Sequence, residues 1–284
     1  MKDRQILIIG SNGQLGRALQ QQYPGAKAID ADKLDITNWV ALDNFDWTDI
    51  KTIINAAAYT NVDGAETNEG RIAAWKVNAV APAYLTKIAN KHDITLVHIS
   101  TDYVFDGSND NHTEDEPYSP LSVYGESKAA GDISVSLASK HYILRTSWVI
   151  GDGNNFVRTM LTLAQKGINP SVVDDQIGRL TFTPELVRAI DYLLTNNSAF
   201  GIYNVTNDGE PASWANIARE IFKITALGNS VTDVTTEQYY EGKTGIAPRP
   251  LNSVMDLDKL HQTGFESHSW YNDLKEYIEK EKIQ

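Results

Sequence analysis

Gln5-Ile-Leu-Ile-Ile9-Gly10-Ser-Asn12-Gly13-Gln14-Leu15-Gly16 runs an apolar stretch straight into three glycines spaced three apart. A helix follows, with Leu15, Ala18, Leu19 and Gln22 recurring turn after turn. Strand, glycine turn and helix in that order are the context of a dinucleotide-binding fingerprint. The spacing is G-x-x-G-x-x-G rather than G-x-G-x-x-G. The physical task is unchanged, because bare backbone at Gly10, Gly13 and Gly16 lets a pyrophosphate reach the helix N–H groups and the positive end of its dipole. Taken alone, the glycines fit a turn in some other βαβ protein equally well.

Neighbouring residues narrow that choice. Asp30 closes the second expected strand, where a carboxylate can accept hydrogen bonds from an adenosine ribose. It favours NAD, whereas Arg17 beside the last glycine cuts the other way, so NADH and NADPH both remain expected cofactors. Asn55-Ala56-Ala57-Ala58 ends the third strand with side chains small enough to leave room for adenine or ribose. Asp35-Ile36 reads either as an adenine contact or as a helix cap before Thr37.

Outward from this opening, the first half alternates apolar runs with helical stretches, the pattern of a parallel sheet covered on both faces. The expected strands are Gln5–Ile9, Lys27–Asp30, Thr52–Asn55, Thr95–Ser100 and Tyr142–Thr146. Pro82 predicts a break or a fresh helix start near Asn78–Pro82. After Trp148 the texture changes: helices are expected at Phe156–Gln165, Pro184–Thr195, Ser213–Ile224 and Trp270–Glu281, with short strands at Val172–Val173 and Ile202–Val205. The fold class read from this is α/β, a Rossmann-type doubly wound parallel sheet with a smaller α+β substrate-binding lobe. Residues 1–150 form the dinucleotide-binding domain, and 151–284 mostly form the lobe, with some segments returning to the first domain. Ser108–Pro120 is polar and acidic and reads as a surface loop flanking a cleft.

Composition bounds the function. A formal net charge of −12 argues against general affinity for nucleic acid or anionic membranes, and an anionic ligand would need a local cationic pocket. The chain has no cysteine, which excludes disulfides and thiolate chemistry and fits a reducing cytoplasm. The charged start Met1-Lys2-Asp3-Arg4 precedes too few apolar residues for a signal peptide, and no run is long enough to span a membrane. None of the six histidines has metal-ligand spacing, so no catalytic metal is expected.

Tyr124-Gly-Glu-Ser-Lys128 carries the chemistry. Four residues apart on a helix, phenol and ammonium share a face. A tyrosine phenol ionises near pH ~10, and a nearby ammonium is expected to lower that value while Tyr124 protonates a carbonyl oxygen. Lys128 can also bond the nicotinamide ribose. Thr101, at the carboxyl end of the fourth strand, is placed to donate a second hydrogen bond to the substrate oxygen. A Y-x-x-x-K alone reads as a solvated helix face, and a strand-end Thr as a cap. Ser100-Thr101-Asp102-Tyr103-Val-Phe105-Asp106-Gly107 just upstream makes coincidence a poor explanation.

The glycine motif, Asn55-Ala-Ala-Ala-Tyr59-Thr60, Ser100–Gly107, Tyr124/Lys128 and Arg145-Thr-Ser-Trp148 together resemble the extended short-chain dehydrogenase/reductase family. Asn155-Phe156, Asp175-Gln176-Ile-Gly178 and Arg249-Pro-Leu-Asn-Ser253 extend the resemblance over nearly the whole chain. It points to the branch that reduces the C4 ketone of a dTDP-linked deoxysugar to make a cell-wall sugar donor. The resemblance implies Tyr124 as proton donor, Lys128 as its partner and Thr101 as a polarising hydroxyl. Asn12, Gly13, Gln14, Leu15, Asp30, Asp35, Ile36, Ala58, Tyr59 and Thr60 would line the cofactor. Asp102, Trp148, Asn155 and Phe156 would meet the substrate, although Trp148 and Phe156 also suit core packing. Arg249, between two prolines, is the first choice for a phosphate clamp and Arg179 the second, with an ion pair the simpler reading of Arg179.

Family members that dehydrate nucleotide sugars carry Glu after the Thr-Asp pair, and Tyr103 stands there instead, favouring plain reduction. Ala18 replaces a glutamate that contributes to a magnesium-linked dimer in some members, so a monomer or homodimer is expected; Leu180 replaces a frequent proline. Two other readings stay open: a nucleotide-sugar epimerase that retains its NAD, and a non-catalytic, cofactor-binding regulatory subunit.

Overall fold

The computed structural model describes residues 2–283. Five strands from the first half, β1 (Ile6–Ile9), β2 (Lys27–Ile29), β3 (Thr52–Asn55), β4 (Thr95–Thr101) and β5 (His141–Thr146), are joined by Gly201–Asn204 in one sheet. The spatial order is β2-β1-β3-β4-β5 followed by Gly201–Asn204, with every neighbouring pair parallel. The expected strands are met to within a residue at each end. β1 and β3 are buried along their whole length, as strands covered on both faces must be.

Alternation sends successive side chains to opposite layers. Ile6, Ile8, Ile54, Val97 and Leu144 pack with α1 (Gln14–Gln22) and with Leu186 and Ile190 of Thr183–Thr195. Leu7, Ile9, Ile53, Leu96 and Ile143 pack with Leu85, Ile88 and Val135 on the other face. A third core, of Ile150, Val157, Met160, Leu180, Phe182, Ala218, Trp270 and Leu274, binds Phe156–Gln165, Trp214–Thr225 and Trp270–Ile283 together. Leu180, the departure from proline, is fully buried in that core.

The strand order reverses between β1 and β3, so the crevice outside their carboxyl ends is the natural ligand position. One sequence expectation is met in part and another corrected here. A fresh α-helical stretch, Ala81–His92, does start beside Pro82, but the chain does not leave helical geometry, because a π-helical turn, Lys76–Val80, joins it to Asn68–Trp75. The wider turn absorbs the proline, whose missing N–H falls in the first turn after it. Ser108–Pro120 is also not simply a surface loop. His112 and Glu114 are buried, with His112 stacked on Phe105 and Glu114 Oε1 accepting the Asn204 N–H at 2.9 Å. Among the described residues no helix is long and apolar enough to cross a membrane.

Candidate active site

Three cavities lie end to end along the sheet's carboxyl edge. The first, about 450 Å³, is walled by Gly10, Asn12, Gly13, Asp30, Asp35, Ile36, Ala56–Ala58 and Tyr59, all expected there. Ile9, Ala31, Leu34, Thr37 and Val77 complete it and were not anticipated, since they belong to the end of β1, to the segment after β2 and to the π-helical turn. Gly10 has φ +81°, and a Cβ on it would sit 2.6 Å from Ala57 N. Gly16 lines none of these three cavities; its hydrogen stands where a Cβ would be 2.1 Å from Gly10 O, letting α1 close onto the loop. Asp30 accepts from Asn12 N at 2.9 Å and from Ala31 N at 2.8 Å, which fixes its carboxylate at the cavity wall. Asp35 lines the cavity, but it is not a helix cap: its carboxylate accepts Thr37 N at 2.9 Å within a turn, and the next helix, Trp39–Asp43, is capped by Asn38. A bare-backbone cradle beside a helix N-terminus, with a carboxylate beyond it, fits a nicotinamide dinucleotide.

The second cavity, about 530 Å³, shares Gly13, Ala56 and Ala58 with the first and is also lined by Gln14, Leu15, Thr60, Thr101, Asp102, Tyr124 and Lys128. Tyr124 and Lys128 lie on α5 (Val123–Val135), whose start is fixed by the Ser122 side chain accepting Gly125 N at 3.2 Å. Lys128 Nζ donates to Ile99 O at 2.6 Å, beside the cavity floor. Thr101 Oγ1 donates to Asp102 Oδ1 at 2.9 Å, and Ser253 Oγ donates to Asp102 Oδ2 at 2.5 Å. Thr101 also faces the Tyr124 phenol, where its hydroxyl favours the ionised form.

Electrostatics here correct a further expectation. The Tyr124 phenol is not acidified: burial pushes it far above its ordinary value, the bond to Thr101 only partly offsets this, and the Asp102 and Asp132 charges add to the rise. Burial lowers Lys128 to about 8, with Asp132 acting against that fall. Asp102 is raised to about 6 by burial, which the bonds from Ser253 and Thr101 partly counter. Desolvation dominates all three, an effect of tertiary packing that spacing along a helix cannot reveal.

The third cavity, about 310 Å³, meets the second at Tyr103 and Trp148 and is lined by Phe156, Gln176, Trp214, Tyr239, Tyr240 and Arg249. Trp148 has φ +48°, a costly conformation for a bulky residue, and its indole stacks on Trp214 at 3.8 Å between ring centroids. Phe156 packs against the same Trp214 at 4.5 Å. Arg249 donates to Asp63 at 2.9 and 3.0 Å and lies 4.9 Å over the Tyr240 ring. Asn155 is not in this wall: it caps Phe156–Gln165 through Arg158 N at 3.0 Å and bonds Gly151 O and Tyr277 Oη at 2.8 Å. Nor is Arg179, which donates to the Gly209 and Met255 carbonyls at 2.7 and 3.0 Å. Asp175 acts indirectly, holding Thr236 N at 2.9 Å so that Thr236–Tyr240 presents Tyr239 and Tyr240. The adjacent tyrosines ahead of Arg249 were a readable signal; Trp214, beside its cap Ser213, was not.

The family described as RmlD substrate binding domain matches residues 4–283 of this sequence. The chain belongs to that family. A dTDP-4-dehydrorhamnose reductase of Aggregatibacter actinomycetemcomitans is 38% identical, covering 95% of this chain and 97% of its own. Among solved structures, a dTDP-4-dehydrorhamnose reductase from Clostridium acetobutylicum is similar with TM-score 0.90 and 39% identity, over 98% of this chain and 99% of that one. Another from Bacillus anthracis, solved in complex with NADP, gives TM-score 0.89 and 35% identity, over 97% and 98% of the two chains. The likeness therefore runs along nearly the full chain rather than being confined to a motif.

Proposed function

We propose that this protein uses NADH or NADPH to reduce the C4 ketone of a dTDP-linked 6-deoxysugar, turning dTDP-4-dehydrorhamnose into dTDP-L-rhamnose. The observation that carries the reading is the run of three adjoining cavities with Tyr124 and Lys128 in the middle one. The names of close relatives support the same reaction. In this reading residues 1–150 bind the dinucleotide and most of 151–284 forms the substrate lobe.

Gly10, Gly13 and Asp30 hold the pyrophosphate and ribose, and Ala56–Ala58 leave space for the rings. When bound, the reduced nicotinamide supplies the hydride. Tyr124 supplies the proton to the C4 oxygen. Its raised phenol suits this task, because a reductase's acid must carry its proton until an alkoxide, a stronger base than phenolate, develops beside it. Lys128 stabilises the phenolate left behind. Thr101 and Asp102 orient the Tyr124 hydroxyl. Trp148 and Phe156 shape the sugar's side of the cavity, and Arg249 meets the diphosphate once it gives up part of its bond to Asp63.

The test is direct. Added dTDP-4-dehydrorhamnose should cause stoichiometric loss of NADPH or NADH absorbance, with dTDP-L-rhamnose as the product by NMR. Conversion between sugar epimers without net cofactor loss would favour the epimerase, and cofactor binding with no turnover would favour a regulatory subunit.

A further inference from the structure

Behind the catalytic pair, α5 carries one more charge on the same stripe. Tyr124, Lys128 and Asp132 occupy successive turns, and Lys128 and Asp132 are 1% and 0% exposed. Donors from two strands surround this carboxylate. Arg145 Nε of β5 lies 3.4 Å from Asp132 Oδ2, and His98 Nε2 of β4 lies 3.9 Å from Oδ1. The Ser100 hydroxyl of β4 also favours its ionised form.

The His98 tautomer follows from its neighbour. Asn55 Oδ1 accepts from Ala57 N at 3.3 Å, which turns the Asn55 amide nitrogen toward His98 Nδ1 at 3.1 Å. Nδ1 therefore accepts, and the proton of the neutral ring sits on Nε2, facing Asp132. Hydrogen bonds thus run from the cofactor cradle at Ala57 through Asn55 to His98, whose Nε2 faces Asp132 across 3.9 Å without a hydrogen bond. Arg145 is the cation paired with that anion, while Lys128, one helical turn away and equally buried, rests its Nζ on Ile99 O and feels the carboxylate through the dry interior. Burial alone favours a neutral amine, and Asp132 opposes it.

We propose that Asp132 is a positioning residue for the reduction, its buried carboxylate keeping Lys128 charged where Ile99 O holds the amine at the floor of the catalytic cavity. The role rests on the reductase reading above. The other titratable and charged groups facing the stripe are His98 from β4, Arg145 from β5, Tyr118 from the segment before α5, Asp102 from the turn after β4, and Tyr124 itself.

The test follows Lys128 in the full-length protein labelled with ¹³Cε-lysine, its resonance assigned by its loss in Lys128→Met. Titration without substrate is compared for wild type, Asp132→Asn and Asp132→Glu, alongside pH profiles of kcat/KM for NADPH-dependent reduction of dTDP-4-dehydrorhamnose. In Asp132→Asn both the Lys128 midpoint and the basic limb should move down by about one pH unit, and Asp132→Glu should return both toward wild type. Should Asp132→Asn not fold because Arg145 is left unpaired, Asp132→Asn/Arg145→Met carries the same expectation. A folded variant with an unchanged Lys128 midpoint overturns the proposal, whatever its loss of stability. A midpoint that shifts in a protein consuming no NADPH would instead sink the reductase reading and leave the electrostatic link standing.

Discussion

Tyr124 and Lys128 show what a spacing conveys and what it does not. Their shared face was legible from the four-residue interval alone, and both line the middle cavity. The direction of the phenol's shift was not legible, because it depends on water excluded by β4, the Thr101–Tyr103 turn and the outer lobe. The same packing predicts the pH dependence of the free enzyme's kcat/KM. Lys128 is charged below about 8, so activity should fall as pH rises through that value. Asp102 is ionised above about 6, so activity should also fall as pH drops through that value. The expected profile is a bell, and Asp102→Asn should remove its acidic limb while leaving the basic one in place. Asn155 teaches the reverse lesson: a polar residue ahead of an apolar helix is first a cap, and its side chain is spent on Arg158 N and the Gly151 carbonyl.

Elements place these residues through close backbone approach. The opening strand and glycine turn were readable because their constraint is local, whereas the π-helical turn was not, since it answers to contacts across the fold. Asn78 in that turn accepts Tyr59 N at 2.8 Å and donates to Tyr59 O at 3.1 Å and Ser127 Oγ at 3.0 Å, pinning the cofactor loop to α5. Asn78→Ala should cost about 2–3 kcal/mol in urea denaturation and weaken NADPH binding, because it orphans buried backbone groups. Gly16→Ala is expected to be worse for the cofactor than for the fold. A Cβ 2.1 Å from Gly10 O forces α1 off the loop, so NADPH affinity measured by fluorescence titration should drop at least ~10-fold, alongside a stability loss of about 2–4 kcal/mol.

Across the molecule, the proposed reaction asks an acidic chain to bring a cation to a dianionic substrate. The proposed cation, Arg249, sits on a strap tied to the loop of Asp63, whose carboxylate also accepts Ala247 N at 3.0 Å, and to the turn after β4 by Ser253 on Asp102. The Arg249-Pro-Leu-Asn-Ser253 motif was visible in the sequence, but its two anchoring partners, far away along the chain, were not. Arg249→Gln should raise KM for the nucleotide sugar roughly 10- to 100-fold with kcat little changed, the signature of a lost ground-state contact. The proposed reduction turns on Tyr124 delivering the proton. Its most direct test is single-turnover reduction of dTDP-4-dehydrorhamnose by protein preloaded with NADPH, comparing wild type with Tyr124→Phe at matched cofactor occupancy. The predicted result is a rate lower by roughly 10²- to 10⁴-fold with NADPH affinity unchanged; a Tyr124→Phe protein that turns over at the wild-type rate would contradict it.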